Sequence, residues 1–252
     1  RYMSEKKYLT IISSKDPGNS LLECVDGIIK YYPMFDIVII DSDSENMEMY
    51  KKIIHSKVKI HFLKNKYYEF GAWKLGYYLY PEYDIYICIQ DSIIPTEKMS
   101  LDKFNSDNIG IFSPNDYGFA PHSDFIAKYA EKLVEGTIYY KYFMENCNKN
   151  FLIATHTSFI VGNSTLKYIL DTLPNLGVPW DDDLKAKLGP YPQKPFSEAT
   201  ERILGLVFGY IRGKQVYDSP IGEEWEDDRF IYNGKEIFFM HNYFKKIHLS
   251  RS

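Results

Sequence analysis

The first part of the chain alternates short apolar runs, each closed by polar residues, with segments whose apolar residues recur every three or four positions. Short apolar runs are typical of buried strands, and the longer spacing is typical of helices that pack on one face. The predicted strands are Tyr8–Ser14, Asp36–Ile40, Val58–Leu63 and Ile85–Ile89. The predicted helices run from a cap at Ser20 to just before Pro33, over Met47–Ile54 and over Ala72–Tyr80. This alternation predicts an α/β fold with a mostly parallel sheet and helices on both of its faces.

The pattern is less regular after Pro95. The predicted strands are Asn108–Ser113, Phe151–Val161 with an interruption at Thr155–Ser158, and Ile237–Met240. The predicted helices are Asp124–Val134, a segment from Ser164 to Leu173, and Glu198–Ile211 after a cap at Ser197. The Pro-, Gly- and Asp-rich segment Pro174–Pro195 is predicted to be a long loop or lid. Neither a linker nor an internal repeat divides the sequence, which therefore predicts one domain over residues 1–252.

Every predicted strand of the first part ends in polar residues or is followed by them. These polar residues are Ser13–Ser14, Asp41–Asp43, Lys64–Asn65 and Gln90–Ser92. Because parallel strands end on the same side, we expect these residues to share one edge, which is where open α/β sheets bind ligands. The Asp91 carboxylate suits Mg²⁺ or Mn²⁺, which could hold a diphosphate, although a simple turn explains this triplet as well. The Asp41 carboxylate could accept a hydrogen bond from a nucleobase N–H or a ribose hydroxyl, or it could close an Asx turn.

Further candidates lie in the second part of the chain. Glu198 or Glu201 could be a general base, but acidic residues also favour helix N-termini as caps. His241 follows a predicted strand and would matter as a second metal ligand beside Asp91, whereas a lone histidine is more often a core or surface residue. The run Asp181–Asp183 is a second acidic candidate, for which a solvated loop is the favoured interpretation.

Composition narrows the class of protein. The formal net charge of -4 and the pI near 5.9 argue against a nucleic-acid-binding protein. The three cysteines form neither a disulfide framework nor a metal motif, which indicates a reducing compartment. Without an apolar run long enough for a membrane span or a visible signal peptide, a location in the cytoplasm or on the cytoplasmic face of a membrane is expected. Since the chain begins at Arg1, we expect that it was trimmed from a longer protein.

Taken in order, the motifs of the first part resemble those of the GT-A nucleotide-sugar-dependent glycosyltransferases, most closely the family-2-like enzymes of polysaccharide synthesis. The matching segments are Ile39–Ser44, Asn65 with Glu69–Gly76, and Tyr83–Ser92. The last of these is similar to the strand that ends in the D-x-D motif of the family. Ile89 stands in the place of the first Asp, so Asp91 alone remains of that pair.

Two later segments extend the resemblance. Glu198–Gly205, followed by Gly213–Tyr217, is similar to the base-bearing helix of the family and the strand after it. Met240–His241 resembles the late histidine that completes the metal site in several GT-A enzymes.

The resemblance implies a GT-A (Rossmann-like) fold in which residues 1–95 bind the nucleotide and residues 96–252 bind the acceptor. It implies transfer of a sugar from a UDP-, GDP- or dTDP-sugar to a hydroxyl of a glycan, glycoprotein or polysaccharide, assisted by Mn²⁺ or Mg²⁺ and with inversion. The implied donor-binding residues are Ser13, Asp41, Asp43, Asn65, Lys74, Gln90 and Asp91. The implied metal ligands are Asp91 and His241, and the implied base is Glu201 or Glu198. The implied acceptor-binding residues are Thr155, His156, Thr157 and Trp180.

Two other functions stay open at the level of sequence. A catalytically degenerate module that binds a nucleotide sugar or a glycan is favoured by Ile89. A nucleotidyltransferase is less favoured, because its first loop should be rich in glycine and basic residues, whereas Ser13–Gly18 holds one Lys and one Gly. The sequence also lacks the glycine-rich phosphate motifs of nicotinamide dehydrogenases and P-loop hydrolases.

Overall fold

The computed structural model describes residues 5–64, 69–101, 109–112, 114–115, 118–119, 124–149, 151, 153–178, 181–189, 193–211, 225–226, 229–232, 235–239 and 243–247. The strands are β1 (Tyr8–Ser14), β2 (Phe35–Ser42), β3 (Val58–Leu63), β4 (Ile85–Gln90), β5 (Ile93–Pro95), β6 (Ile109–Ile111), β7 (Pro114–Asn115), β8 (Ile153–Ala154), β9 (Phe159–Gly162), β10 (Trp225–Glu226), β11 (Arg229–Tyr232), β12 (Lys235–Phe239) and β13 (Phe244–Lys246). The α-helices are α1 (Asn19–Tyr31), α2 (Glu69–Leu79), α3 (Asp124–Val134), α4 (Tyr140–Asn146), α5 (Asn163–Thr172), α6 (Asp182–Leu188) and α7 (Gln193–Ile211).

Within these residues, nine strands form one sheet in the order β10-β11-β12-β6-β9-β4-β1-β2-β3. The strands β3, β2, β1 and β4 are parallel neighbours, and β9 runs antiparallel between β4 and β6. Beyond it, β12 is parallel to β6 and β11 is antiparallel to β12. The α/β fold with a mostly parallel sheet that the sequence predicts is therefore confirmed.

Helices cover both faces of this sheet. Successive side chains of a strand point to opposite faces, and Ile11 and Ile12 of β1 accordingly lie in two different cores. The core around Ile12 is closed by α1, and the core around Ile11 is closed by α2, α3 and α7. Full burial of such a side chain stabilises the fold by about 1.5–3 kcal/mol, whereas an exposed ion pair contributes about 0–1 kcal/mol. The packing of these two cores, rather than surface ion pairs, therefore holds the strands in position. No helix of the described ranges is both long and apolar enough to cross a bilayer.

The predicted helix over Met47–Ile54 is wrong. The structure has a short 3-10 helix there, at Tyr50–Lys52. Tyr50 is buried, whereas Ile54 is 92% exposed, so the apolar residues do not form the continuous stripe that a longer helix buries. In the predicted strand Phe151–Val161, the interruption is confirmed: it is a 3-10 turn, Thr155–Thr157, between β8 and β9.

The predicted loop Pro174–Pro195 is wrong in its second half, because α6 lies inside it. Asp181 precedes this helix, and its carboxylate oxygen accepts the backbone N–H of Leu184 at 2.9 Å. Asp181 is thus a helix cap rather than part of a solvated loop.

The last long helix begins at Gln193 rather than after Ser197. Pro195 lies in its first turn, where the missing N–H of proline costs nothing, so this proline does not end the preceding loop as the sequence suggested. Glu198 and Glu201 therefore lie beyond the first turn, and the interpretation of these two residues as helix caps is wrong.

Candidate functional site

The carboxyl ends of β1, β2 and β4 meet at one edge of the sheet, as predicted. Ser14 is in register with Asp41 on one side, and Ser13 is in register with Gln90 on the other. Lys64 follows the neighbouring strand β3, whereas the predicted donor-binding residue Asn65 lies outside the described residues. The expectation of a shared polar edge is confirmed for the strand ends that the structure describes.

Asp91 lies where β1 and β4 separate. Its backbone N–H donates to the carbonyl of Ser13 at 3.1 Å, and its carboxylate accepts from the Ser14 hydroxyl at 2.9 Å. Ile89 is fully buried in the core beneath α1 and brings no polar atom to this edge.

The described residues at this edge fit a divalent cation poorly. Asp91 brings a carboxylate, but no group of three His, Cys, Asp or Glu side chains in the described part of the chain could hold a metal ion. The second predicted ligand, His241, lies outside the described residues. A complete metal site would need further ligands from residues outside the described ranges.

Asp41 lies behind the edge, with 1% of its surface exposed. Its carboxylate accepts from the Tyr50 hydroxyl at 2.6 Å, from the backbone N–H of Ser44 at 3.1 Å and from the Ser44 hydroxyl. Burial and the Asp41 carboxylate raise the pKa of Tyr50, which therefore stays a neutral donor. These contacts match the turn-closing role that the sequence allowed for Asp41.

The loops after β1 and β2 are joined to each other. Lys15 donates to the backbone carbonyl of Asp43 at 2.9 Å, and the Asp16 carboxylate accepts the backbone N–H groups of Glu45 at 2.7 Å and Asn46 at 3.0 Å. The Asp43 side chain is exposed. The two loops thus form a cross-linked rim on the β2 side of the edge.

Glu201 reaches the edge from α7. Its carboxylate accepts the backbone N–H of His156 at 2.9 Å, and the Arg202 guanidinium lies 3.7 Å away. Burial, followed by the neighbouring Glu69 carboxylate, raises the pKa of Glu201 to about 7, against the lowering effects of Arg202 and the His156 N–H. A carboxyl group with such a pKa can exchange a proton near neutral pH.

Glu198 lies one turn before Glu201 on the same helix. Its side chain is half-buried, and its backbone carbonyl accepts from Arg202 at 3.0 Å. The negative charge of Glu198 contributes to the raised pKa of Glu201.

The 3-10 turn Thr155–Thr157 packs against α7 in an unusual backbone conformation. His156 has φ 62° and Thr157 has φ 52°, a region that a β-branched residue rarely adopts. The buried Trp73 of α2 donates from its ring N–H to the Thr157 carbonyl at 3.2 Å. The Thr157 hydroxyl is buried and has no hydrogen-bond partner among the described residues.

Positive φ angles at residues other than glycine are confined to this edge in the described part of the chain. They occur at Asp16 and Asp43, in the joined loops, and at His156 and Thr157, beside Glu201. A positive φ at a residue other than glycine destabilises the fold by about 1–3 kcal/mol, and by less at Asp. Such backbone strain concentrates at functional sites. Three of these residues were sequence-predicted site residues: Asp43, His156 and Thr157.

A polar bridge links the two sides of the β4 end. Gln90 donates to the Glu69 carboxylate at 2.8 Å and accepts from the Lys246 ammonium at 2.6 Å. Sequence reasoning missed Glu69 and Lys246 as site residues. Glu69 could have been found as an acidic residue at a helix start, but no local pattern brings Lys246 to this place.

Two further predicted site residues are Lys74 and Trp180. Lys74 is half-buried on α2, where a side chain added at Gly177 would meet its Cδ atom at 3.0 Å, so it lies against the turn after α5. Trp180 lies outside the described residues.

Neither a scan of protein-family models nor a search of curated proteins found a match to this chain.

Proposed function

We propose that the chain is a glycosyltransferase of the GT-A type that moves a sugar from a nucleotide-diphosphate sugar to a hydroxyl acceptor. The observation that carries this proposal is Glu201, a half-buried carboxyl group with a pKa of about 7 at the carboxyl edge of a mostly parallel sheet. General bases work best when their pKa lies near the working pH.

In this reaction Glu201 removes the proton of the acceptor hydroxyl while that oxygen attacks the anomeric carbon of the donor. The bond from this carbon to the diphosphate breaks, the nucleoside diphosphate leaves, and the sugar is inverted. The His156 N–H orients the carboxylate. The half-buried side chains of Thr155 and His156 are polar groups suited to a glycan, glycoprotein or polysaccharide acceptor.

The donor is proposed to lie over the ends of β1 and β4, near Ser13, Ser14, Gln90 and Asp91. The Mn²⁺ or Mg²⁺ that the resemblance implies would be held by Asp91 together with ligands from outside the described residues, such as His241. When bound, such an ion would neutralise charge on the leaving diphosphate. The proton transfer from the acceptor depends on Glu201 and not on that ion.

A panel of UDP-, GDP- and dTDP-sugars, with and without Mn²⁺, tests the proposal. At least one donor should raise the melting temperature, and the same donor should be hydrolysed or transferred by the wild-type protein. If no donor produces a shift, the proposed function is wrong.

A second candidate, a module that binds a nucleotide sugar or glycan without turnover, is favoured by the burial of Ile89. The same panel separates the two functions. A donor that shifts the melting temperature but is neither hydrolysed nor transferred, at any pH between roughly 6 and 9, a range that includes the Glu201 pKa of about 7, would establish the binding module.

A further inference from the structure

The C-terminal strand β13 brings a cation to the end of β4. It pairs antiparallel with β5, so that Lys246 lies opposite Ile93, and the backbone N–H of Ile247 donates to the Ser92 carbonyl at 2.8 Å. Phe244 anchors the strand, because its ring is buried and meets that of Phe112 edge-on at 4.3 Å. Lys246 is therefore carried by a fixed element rather than by a loose tail.

The Lys246 ammonium contacts the two residues that flank Asp91 in the sequence. It donates to the Gln90 side-chain oxygen at 2.6 Å and to the Ser92 hydroxyl, the residues that immediately precede and follow Asp91. The Gln90 and Ser92 oxygens are neutral, and Gln90 is itself held by the Glu69 carboxylate at 2.8 Å. A lysine positioned in this way has less side-chain freedom to lose when it binds an anion.

The chemistry of this position suits a diphosphate. An ammonium is a compact point charge and a common ligand of phosphate oxygens. Lys246 is half-buried, and it lies at the same strand ends as Ser13, Ser14 and Asp91. The described residues offer this permanent cation where the resemblance implies a metal ion, and they do not complete a metal site.

We infer that Lys246 binds the diphosphate of the nucleotide-sugar donor and gives donor binding a component that needs no metal ion. This inference rests on the proposed function, which supplies the donor. In the transfer step the lysine keeps its proton and stabilises the negative charge of the departing nucleoside diphosphate.

The neighbouring Lys245 is a matched control. It has the same charge on the same strand, but its side chain is exposed and lies 3.7 Å from the Glu23 carboxylate of α1. Alternation along the strand sends the two lysines to opposite sides.

The test is calorimetric titration of UDP, GDP and dTDP, and of the matching monophosphates, in EDTA and in Mn²⁺. Wild-type protein is compared with Lys246→Met, Lys246→Arg and Lys245→Met. We expect a diphosphate to bind wild-type protein in EDTA and to bind Lys246→Met about tenfold or more weakly, since a charged hydrogen bond is lost. The monophosphate should be affected less, Lys246→Arg should retain much of the affinity, and Lys245→Met should match wild type.

Each other outcome is decisive. Binding that EDTA abolishes, with Lys246→Met equal to wild type in Mn²⁺, overturns the inference but leaves the proposed function standing. Equal losses in Lys246→Met and Lys245→Met also overturn it, because they indicate a non-specific effect of charge. If no nucleotide binds wild-type protein under either condition, both proposals are wrong.

A measurement on wild-type protein covers the case in which Lys246→Met does not fold. Lysine acylation is followed by mass spectrometry with and without the nucleoside diphosphate in EDTA. The nucleotide should slow the acylation of Lys246 several-fold and leave that of Lys245 unchanged. Equal rates at Lys246 with and without nucleotide would overturn the inference.

Discussion

Glu201 is the residue on which the proposed chemistry depends. It lies half-buried on α7, where the backbone N–H of His156 gives it a fixed partner at 2.9 Å. Its pKa of about 7 follows from burial first and from the Glu69 carboxylate second. The same two causes predict both an activity and a stability effect.

Replacing Glu201 by Gln should lower the turnover number by about 10²–10⁴, which is the usual contribution of a general base. The Gln side chain keeps an oxygen for the His156 N–H, so the melting temperature should not fall. Turnover is measured with the donor found in the nucleotide-sugar panel, at pH 8 (about one unit above the Glu201 pKa, so that the base is ionised). In wild-type protein, turnover should rise with pH and level off above about 7.

Glu198→Gln is the matched control, one turn away on the same helix. It should lower turnover much less than Glu201→Gln. The reverse order would assign the base to Glu198, and wild-type turnover in both variants would refute the inverting mechanism.

The raised pKa of Glu201 also makes stability depend on pH. The folded protein holds this proton more tightly than the unfolded chain, where the pKa is near 4.5. The resulting stabilisation is complete below pH 4.5 and is lost as the pH rises to about 7. Relative to Glu201→Gln, which cannot ionise, the wild-type free energy of unfolding should fall over this interval by an amount on the order of 3 kcal/mol.

Urea denaturation of both proteins at a series of pH values measures this difference. Groups that do not interact with Glu201 titrate alike in both proteins and cancel in the comparison. A difference between the two proteins that stays constant with pH would contradict the assigned pKa.

At the level of elements, the packing of α1 on β5 supports the position of β13 and its lysine. A Cβ atom added at Gly27 would lie 2.8 Å from Cδ of Pro95 and 3.2 Å from its carbonyl oxygen. A proline ring and a backbone oxygen cannot rotate away as a flexible side chain does. The close approach of α1 therefore requires glycine at this position.

Gly27→Ala should destabilise the protein by up to about 2 kcal/mol. Overpacking costs about 1–3 kcal/mol, and the better helix propensity of alanine returns only about 1 kcal/mol. Gly18→Ala, at the start of the same helix, meets nothing within 4 Å and should cost less, about 0.5 kcal/mol for the weaker cap. Thermal or urea unfolding of both variants checks this, and a stabilised Gly27→Ala protein would contradict the packing.

The sequence was sufficient to predict the central strands and their shared polar edge. The runs that end at Ser14 and Gln90 are apolar because both faces of the sheet are covered, and that burial is visible as a local pattern. The start of α7 was not predictable in the same way, because Pro195 fits the first turn of a helix as well as the end of a loop.

The contacts that complete the candidate site join residues that are distant in the chain. Lys246 meets Gln90 through the pairing of β13 with β5, and Glu201 meets His156 through the packing of α7 on a strained turn. No local period encodes such pairings. The resemblance to glycosyltransferases pointed to Glu201 but did not include Lys246.

For the molecule as a whole, the two parts of the chain converge on one edge of the sheet. The strands β1 and β4 supply the polar ends, while α7 and β13 return from the second part with a carboxylate, Glu201, and a cation, Lys246. This arrangement places a carboxylate on one side of the edge and a cation on the other, as the proposed transfer from a diphosphate donor to a hydroxyl requires.

A crystal structure with a bound nucleotide sugar, chosen by its thermal shift, tests this arrangement. The account predicts that the diphosphate lies over the ends of β1 and β4 in contact with the Lys246 ammonium, with the sugar facing Glu201. A nucleotide bound at the opposite edge of the sheet, or away from both side chains, would contradict it.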